Sequence, residues 1–313
     1  MLLLAGGVGG AKMAEGLAAL PDIALTVIGN VADDDDFHGL RVCPDIDTLL
    51  YTLGGRIDRG RGWGVAGDTT RALDTLGDLG ADTWMTLGDA DLGLHIWRTQ
   101  QLRKGVPPSQ VTAHIAAAFG VPATILLPTD APLRTRVRTD KGWLAFQEYF
   151  VREKCAPTVR EIAIEGAETA RPTDTALTAI ADADLIVLAP SNPLVSIGPI
   201  LAVPGLRDAL TASAAPKLGV SPLIAGKVVK GPADRMMAGL GLRADALGVA
   251  ERYAGLLDGF LIDRADADLT APIAALGMVP VVEDILMPDA AAKARLARAL
   301  LDAADATLKG RAA

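Results

Sequence analysis

Carboxylates crowd one short stretch of this chain. Asp33, Asp34, Asp35 and Asp36 run consecutively and Asp45 and Asp47 follow, so six aspartates fall within 15 residues. Such a set repels itself unless a cation or hydrogen bonds offset the charge. A hard cation such as Mg²⁺ takes one or two carboxylates together with substrate phosphates. Pro44-Asp45 reads as a helix start, which aims Asp45 and Asp47 at a ligand. Asp35 and Asp36 read as a solvated loop. Further on, Gly67-Asp68 precedes a helix, so Asp68 either caps it or joins a metal. Leu87-Gly88-Asp89-Ala90-Asp91 leads into another helix, with Asp89 and Asp91 as candidate N-caps.

A second chemistry is written in glycine. Gly6-Gly7-Val8-Gly9-Gly10-Ala11-Lys12 joins an apolar run to a helical one. A glycine turn there lets backbone N–H groups approach a phosphate, and the helix dipole adds to the attraction. The spacing fits neither familiar template. G-x-G-x-x-G counted from Gly7 needs glycine where Lys12 stands, and Gly10-Ala11-Lys12-Met13 is not the Gly-Lys-Ser/Thr of a Walker loop. Pro190-Ser191-Asn192-Pro193 and Ser221-Pro222, followed by Lys230-Gly231-Pro232, add donors after later apolar runs, as a composite nucleotide site would. His38, His95 and His114 form no zinc-like pair, and no G-x-S-x-G elbow is present.

Positioning these loops requires a particular scaffold. Leu2–Ala5 reads as a buried strand, Gly6–Gly10 as a loop, Ala11–Leu20 as a helix and Ile23–Ile28 as a second strand, which makes a βαβ unit. Ala123–Leu127, Leu185–Leu188, Lys217–Val220 and Gly259–Ile262 are further strands. A helix runs from Ser109 (N-cap) to Gly120 (C′), and residues 289–308 form an Ala-rich terminal helix. Residues 134–166 alternate in the antiparallel manner. The expected fold is Rossmann-like α/β: a mostly parallel central sheet with helices on both faces and a smaller, partly antiparallel and helical insertion. The whole chain, 1–313, reads as one large domain, with about 134–166 and neighbouring helices as a subdomain.

Composition narrows the partners. The net charge of −8 disfavours nucleic acid and anionic membrane as partners. At 50% hydrophobic and 22% charged the chain is ordinary globular material, and 4% aromatics leaves the core to aliphatic side chains. Cys43 and Cys155 read as free thiols in a reducing compartment. With no signal-peptide pattern and no membrane-length apolar run, the expected location is the cytoplasm.

Taken in order, the glycine loop, the Asn30–Gly39 acidic loop, Pro44-Asp45-Ile46-Asp47-Thr48, Leu87–Asp91, Pro190–Pro193 with Ser196-Ile197-Gly198-Pro199-Ile200, and Ser221-Pro222 with Lys230-Gly231-Pro232 resemble the 2-phospho-L-lactate transferases. These form the CofD/FbiA family of coenzyme F420 biosynthesis, and the similarity runs to about Val282. The chain departs from the family at Ala90, where a basic residue is expected. The resemblance implies transfer of a phosphorylated three-carbon acid (phospholactyl, phosphoenolpyruvyl or phosphoglyceryl) from a guanosine diphosphate donor to the ribityl hydroxyl of the deazaflavin Fo. GMP leaves, and Mg²⁺ is required. Carried onto this sequence, it implies catalytic Asp45 and Asp47, and metal ligation by Asp45 and Asp68. Nucleotide contacts fall to Gly6, Gly7, Gly9, Gly10, Lys12, Ser191, Asn192, Ser221 and Lys230. Fo contacts fall to Asp34, Asp45, Asp47, Trp63, Asp89 and Asp91. A homodimer is expected. A nucleotide-sugar-binding regulatory protein of the YvcK type is the alternative, and the glycine spacing argues against an NAD-dependent oxidoreductase.

Overall fold

Aliphatic runs with almost no polar interruption form the strands of the core, as buried parallel strands require. In the computed structural model, which describes the backbone of residues 1–312 and side chains through residue 306, seven of them make one sheet. They are β1 (Leu2–Ala5), β2 (Thr26–Gly29), β3 (Thr124–Leu126), β4 (Ile186–Leu188), β5 (Lys217–Val220), β6 (Gly259–Asp263) and β7 (Val279–Glu283). Their order is β7-β6-β5-β4-β1-β2-β3, and every neighbouring pair is parallel. Helices pack around the sheet, and β1 is buried throughout.

The strand order reverses between β1 and β4. In open α/β sheets that crevice, at the carboxyl ends of the strands, is where ligands bind. The glycine loop leaves β1 there, and Pro190-Ser191 follows β4. The Asn30 loop leaves the carboxyl end of β2 and Ser221 that of β5, so the motifs of the sequence gather at one edge.

The glycine segment differs from the expected loop followed by a helix at Ala11. Helix α1 spans Gly7–Ala18, so most of the glycines are already helical. Gly7, at φ +63°, makes the turn in one residue. The remaining glycines serve close packing, since a Cβ on Gly9 would lie 2.3 Å from the Pro190 carbonyl oxygen. Helix α2 (Pro44–Leu53) starts with proline at its first position, as expected. The helix expected to be capped by Ser109 spans Pro108–Ala118 instead, and Ser109 donates its N–H and hydroxyl to Asp130.

The 134–166 region folds as an antiparallel sheet of Arg134–Thr139, Gly142–Ala145 and Val159–Glu165, with a short helical turn at Glu148–Arg152. It is stitched to the acidic loop by Thr135 N–H to the Ala32 carbonyl (2.7 Å) and by Arg134 to Asp35 (2.9 Å). The acidic loop itself is partly a hairpin, Asp35–Phe37 against Leu40–Val42. Arg134 and Arg41 offset the charge of Asp36. Both cysteines are buried and free.

Candidate active site

Asp45 stands at the centre of the crevice. It lies in the first turn of α2, and its carboxylate rests against the glycine turn: a Cβ on Gly6 would sit 2.5 Å from Asp45 Oδ2. Only glycine allows that approach. Asn30 Nδ2 donates to Asp45 Oδ2 (2.9 Å) and to the Val195 carbonyl (3.1 Å), while Asn30 Oδ1 accepts from Ala32 N–H. Burial raises the Asp45 carboxyl to about 6, although Asn30 and the Gly7 N–H stabilise its charged form. The sequence therefore places a partly protonatable acid at the N-terminus of α1, beside backbone donors suited to a phosphate.

Two further carboxyls of the acidic loop are raised by burial, Asp33 under the influence of Asp45 and Asp34 beside Cys43 and Arg98. Asp33 is buried, and burial followed by the charge of Asp45 pushes its carboxyl well above the ordinary range. Its Oδ1 has no hydrogen-bond partner. Burial raises Asp34 to about 7, and its Oδ1 is likewise unpartnered. A cavity of about 10 Å³, lined by Asp33, Asp34, Thr135, Arg136 and Gln147 among others, lies alongside. Arg134 also lines this space, as does Arg136 with its buried Nε unpartnered, so its charge is mixed rather than that of a cation site.

Asp47, one helical step on, faces a different way. It forms a bidentate ion pair with Arg98, with both side chains buried, and it accepts the Cys43 N–H at 3.2 Å. Arg98 Nη1 also meets His95 Nδ1 (3.1 Å), His95 Nε2 lies 3.2 Å from Asp91, and Tyr51 donates to Asp91 (2.5 Å). Burial opposes the charge on Asp91, but His95 and Tyr51 hold its carboxyl below the ordinary range. Asp47, Asp91 and His95 are close enough to share a metal, with candidate ligand atoms within 4.8 Å. The guanidinium already lies on Asp47, so the cluster is a charge-satisfied network. It locks α2 to the helix Asp89–Arg103.

Asp68 is a cap. It accepts from the N–H groups of Ala90 and Asp91 at the start of that helix (2.9 and 3.1 Å). Asp89, expected as an N-cap, is the first helical residue, and its carboxylate reaches back to Thr69 and to the Ala72 N–H. Ser191 ties the two central loops: its hydroxyl donates to the Gly6 carbonyl (2.7 Å) and accepts from the Gly6 N–H (3.2 Å). Asn192 caps its own turn through the Leu194 N–H, and Ser221 bonds both ways to Leu223.

Lys12 and Lys230 form a cationic flank to α1. Lys12 Nζ donates to the Met287 carbonyl (3.1 Å), and Lys230 Nζ to the Arg61 carbonyl (2.5 Å). Burial lowers both pKa values, with Lys293 acting further on Lys12 and Lys12 on Lys230. Arg61 also lies over the exposed ring of Trp63, 5.5 Å from its centroid, so the 58–64 loop reaches toward the glycine turn. A Cβ on Gly62 in that loop would lie 3.1 Å from Lys230 Nζ and 3.4 Å from Val8.

Sequence reasoning passed over Asn30, Asp33 and Arg98 as individual residues. Asn30 and Asp33 had a signal: they leave β2 directly at the carboxyl edge. Arg98 had none, because a lone arginine in a helix looks like surface.

A doubly wound sheet with its polar loops and a buried acid at the switch point defines a Rossmann-like α/β protein with a ligand crevice between β1 and β4. The chain belongs to the 2-phospho-L-lactate transferase CofD family, whose description matches residues 1–300. It is 41% identical to a phosphoenolpyruvate transferase of Streptomyces coelicolor, over 97% of this chain and 98% of that protein. It is 42% identical to one of Kitasatospora aureofaciens, over 99% of each, and 40% identical to one of Mycobacterium avium, over 97% and 98%. A UPF0052-family protein from Bacillus halodurans shares the fold, with a TM-score of 0.61, 17% identity and coverage of 96% and 97%. Among the described residues no helix is long and apolar enough to cross a membrane.

Proposed function

We propose that this transferase moves a phosphoenolpyruvyl group from a guanosine diphosphate-linked donor to the ribityl hydroxyl of Fo, releasing GMP, as a step of coenzyme F420 biosynthesis. Family membership over nearly the whole chain supports the reaction class. The names of relatives at 40–42% identity favour enolpyruvate over lactate or glycerate. The observation that carries the site is Asp45 lying against Gly6 at the switch point.

In this reading the diphosphate lies along Gly6, Gly7, Gly9 and Gly10 at the N-terminus of α1, with Lys12 and Lys230 on its flank. Ser191 fixes the shape of the turn, and Asn192 and Ser221 hold the neighbouring loops. Fo stacks toward Trp63, with Asp34 near its ribityl chain; Asp89 and Asp91 act through the helix that borders the pocket. The hydroxyl oxygen of Fo forms a bond to the β-phosphorus. The bond from that phosphorus to the oxygen bridging the α-phosphate breaks, and GMP leaves with the electron pair. Asp45 orients the hydroxyl and accepts its proton. Asp47 positions α2 through Arg98. Bound Mg²⁺ would supply charge neutralisation of the diphosphate, held in part by Asp45.

The test is incubation of the purified protein with Fo and each of the three guanosine diphosphate donors, followed by chromatography for GMP and mass spectrometry of the product. The enolpyruvyl donor should turn over fastest. Nucleotide binding without GMP release from any donor would refute the transferase reading and point to a regulatory nucleotide-binding protein. The working form in this proposal is a homodimer; light scattering at a mass near 32.4 kDa would refute that part.

A further inference from the structure

A serine placed just before a helix ordinarily accepts a backbone N–H of the first turn with its side chain. Ser196 holds that place before the helix Ile197–Ala202, and its hydroxyl caps nothing. Its backbone (φ −114°, ψ −58°) is not the extended form that a capping serine takes. The side chain lies instead against the glycine segment after β1. A Cβ on Gly6 would sit 2.8 Å from Ser196 Cβ, 3.1 Å from its Oγ and 2.5 Å from Asp45 Oδ2. A hydroxyl and a carboxylate therefore flank one point, the residue that leads into α1.

The backbone accounts for this placement. The Asn192 carbonyl accepts the N–H groups of Ser196 and Ile197, both at 3.0 Å, and closes the turn after β4. Asn30 then ties that turn to α2: its Nδ2 donates both to the Val195 carbonyl and to Asp45 Oδ2. One amide thus sets Ser196 and Asp45 relative to each other. The other serine hydroxyls of these loops are committed, Ser191 to Gly6 and Ser221 to Leu223. Ser196 is only 6% exposed, and its hydroxyl makes no hydrogen bond among the described residues. It is not one of the sealed polar atoms either, so a little of its surface stays open beside Gly6.

Donors are what this point needs. An ionised carboxylate and a phosphoryl oxygen both only accept. A phosphate approaching α1 beside Asp45 must be met by N–H or O–H groups, and two of the backbone ones are already spent. The Gly6 N–H goes to Ser191 and the Gly7 N–H to Asp45. We propose that Ser196 is a ligand-contact residue whose hydroxyl donates to a terminal phosphoryl oxygen of a nucleoside diphosphate seated on the glycine turn, across from Asp45. A serine has one proton to give. Spent on the phosphate, it leaves Asp45 Oδ2 to receive the acceptor's hydroxyl.

This inference rests on the diphosphate placement in the proposed function, and two nucleotides separate the two. GDP and GMP differ by the terminal phosphate alone. Calorimetry with each, on the full chain and on Ser196→Ala, reads the contact directly. The full chain should bind GDP more tightly than GMP. Ser196→Ala should bind GDP about tenfold more weakly, the scale of a hydrogen bond to a charged acceptor, with GMP affinity unchanged. Its thermal melt without nucleotide should match that of the full chain, since no cap is lost. Should Ser196→Ala fail to fold, Ser196→Cys, similar in size and a weak donor, carries the same test. Unchanged GDP affinity, an equal loss for GDP and GMP, or unfolding of both variants would overturn the role of Ser196 while leaving the diphosphate placement intact. A full chain that binds GDP no more tightly than GMP would overturn both.

Discussion

At the scale of single residues, Asp45 and Asp47 look interchangeable in sequence and are physically unlike. Asp45 is buried against backbone, with its charge only partly offset, whereas Asp47 is neutralised by a buried guanidinium. Their asparagine variants should therefore fail in opposite ways. Asp45→Asn should fold normally and lose turnover by a factor on the order of 10², the usual scale for removing a general base. Asp47→Asn leaves Arg98 buried without its counter-charge and should lose on the order of 3 kcal/mol of stability in a urea melt. Equal stability losses for the two would show that the geometry has been misread. Asp34 gives a pH signature. Its folded carboxyl is raised to about 7, against about 3.9 unfolded, so between those values the folded state holds more protons. Stability of the metal-free protein should consequently rise as pH falls from 8 toward 5. Asp34→Asn should flatten part of that slope, as thermal melts across the range would show; an unchanged slope would remove Asp34 as its source.

At the scale of elements, the glycines of α1 record how tightly the helix sits on its neighbours. Gly9→Ala puts a methyl 2.3 Å from a backbone oxygen of the β4 loop, so α1 or that loop must move. GDP affinity in calorimetry should fall with the melting temperature. Gly93 lies inside the helix Asp89–Arg103 with nothing within 4 Å of its Cβ position, so Gly93→Ala should leave GDP binding intact and stabilise by about 0.5–1 kcal/mol. If both variants behaved alike, close packing would not be what the glycine turn is for. This contrast also marks what sequence could and could not supply. The strands were legible because Leu2–Ala5 and its counterparts are unbroken aliphatic runs, and their parallel pairing follows from the helices between them. That the motifs share one edge was legible for the same reason. The start of α1 was not, because glycine reads as loop until its contacts are known. The caps were exchanged, too: Asp68 serves the helix that Asp89 and Asp91 begin, a pairing across about 20 residues that local rules cannot see. The Arg98 network was invisible because burial of a charge is a tertiary fact.

At the scale of the whole molecule, the field and the site oppose each other. A chain of net charge −8 repels a nucleoside diphosphate at long range, yet the proposed diphosphate position is flanked by Lys12 and Lys230. Both ammonium groups donate to backbone carbonyls, and Glu15, whose charge acts on Lys12, is already bound to Lys293 and Arg59. Burial, and after it the charge of Lys12, lowers the pKa of Lys230, and in the proposed function an anion beside them would offset that repulsion. Salt acts on the two contributions differently. Screening at about 0.15 M reaches beyond roughly 8 Å, so it suppresses the diffuse negative field more than a contact with phosphate. Removing the contact leaves the field alone. In the full chain, GDP affinity should decline as NaCl is raised from about 50 to 300 mM, because the close lysines dominate. In Lys12→Met/Lys230→Met, affinity should drop by at least tenfold at low salt and then improve as salt is added, since screening now only weakens repulsion. Calorimetry at the two salt concentrations reads both numbers. A double variant whose affinity still declines with salt would mean that other cations hold the diphosphate, and would move the donor away from this flank of α1.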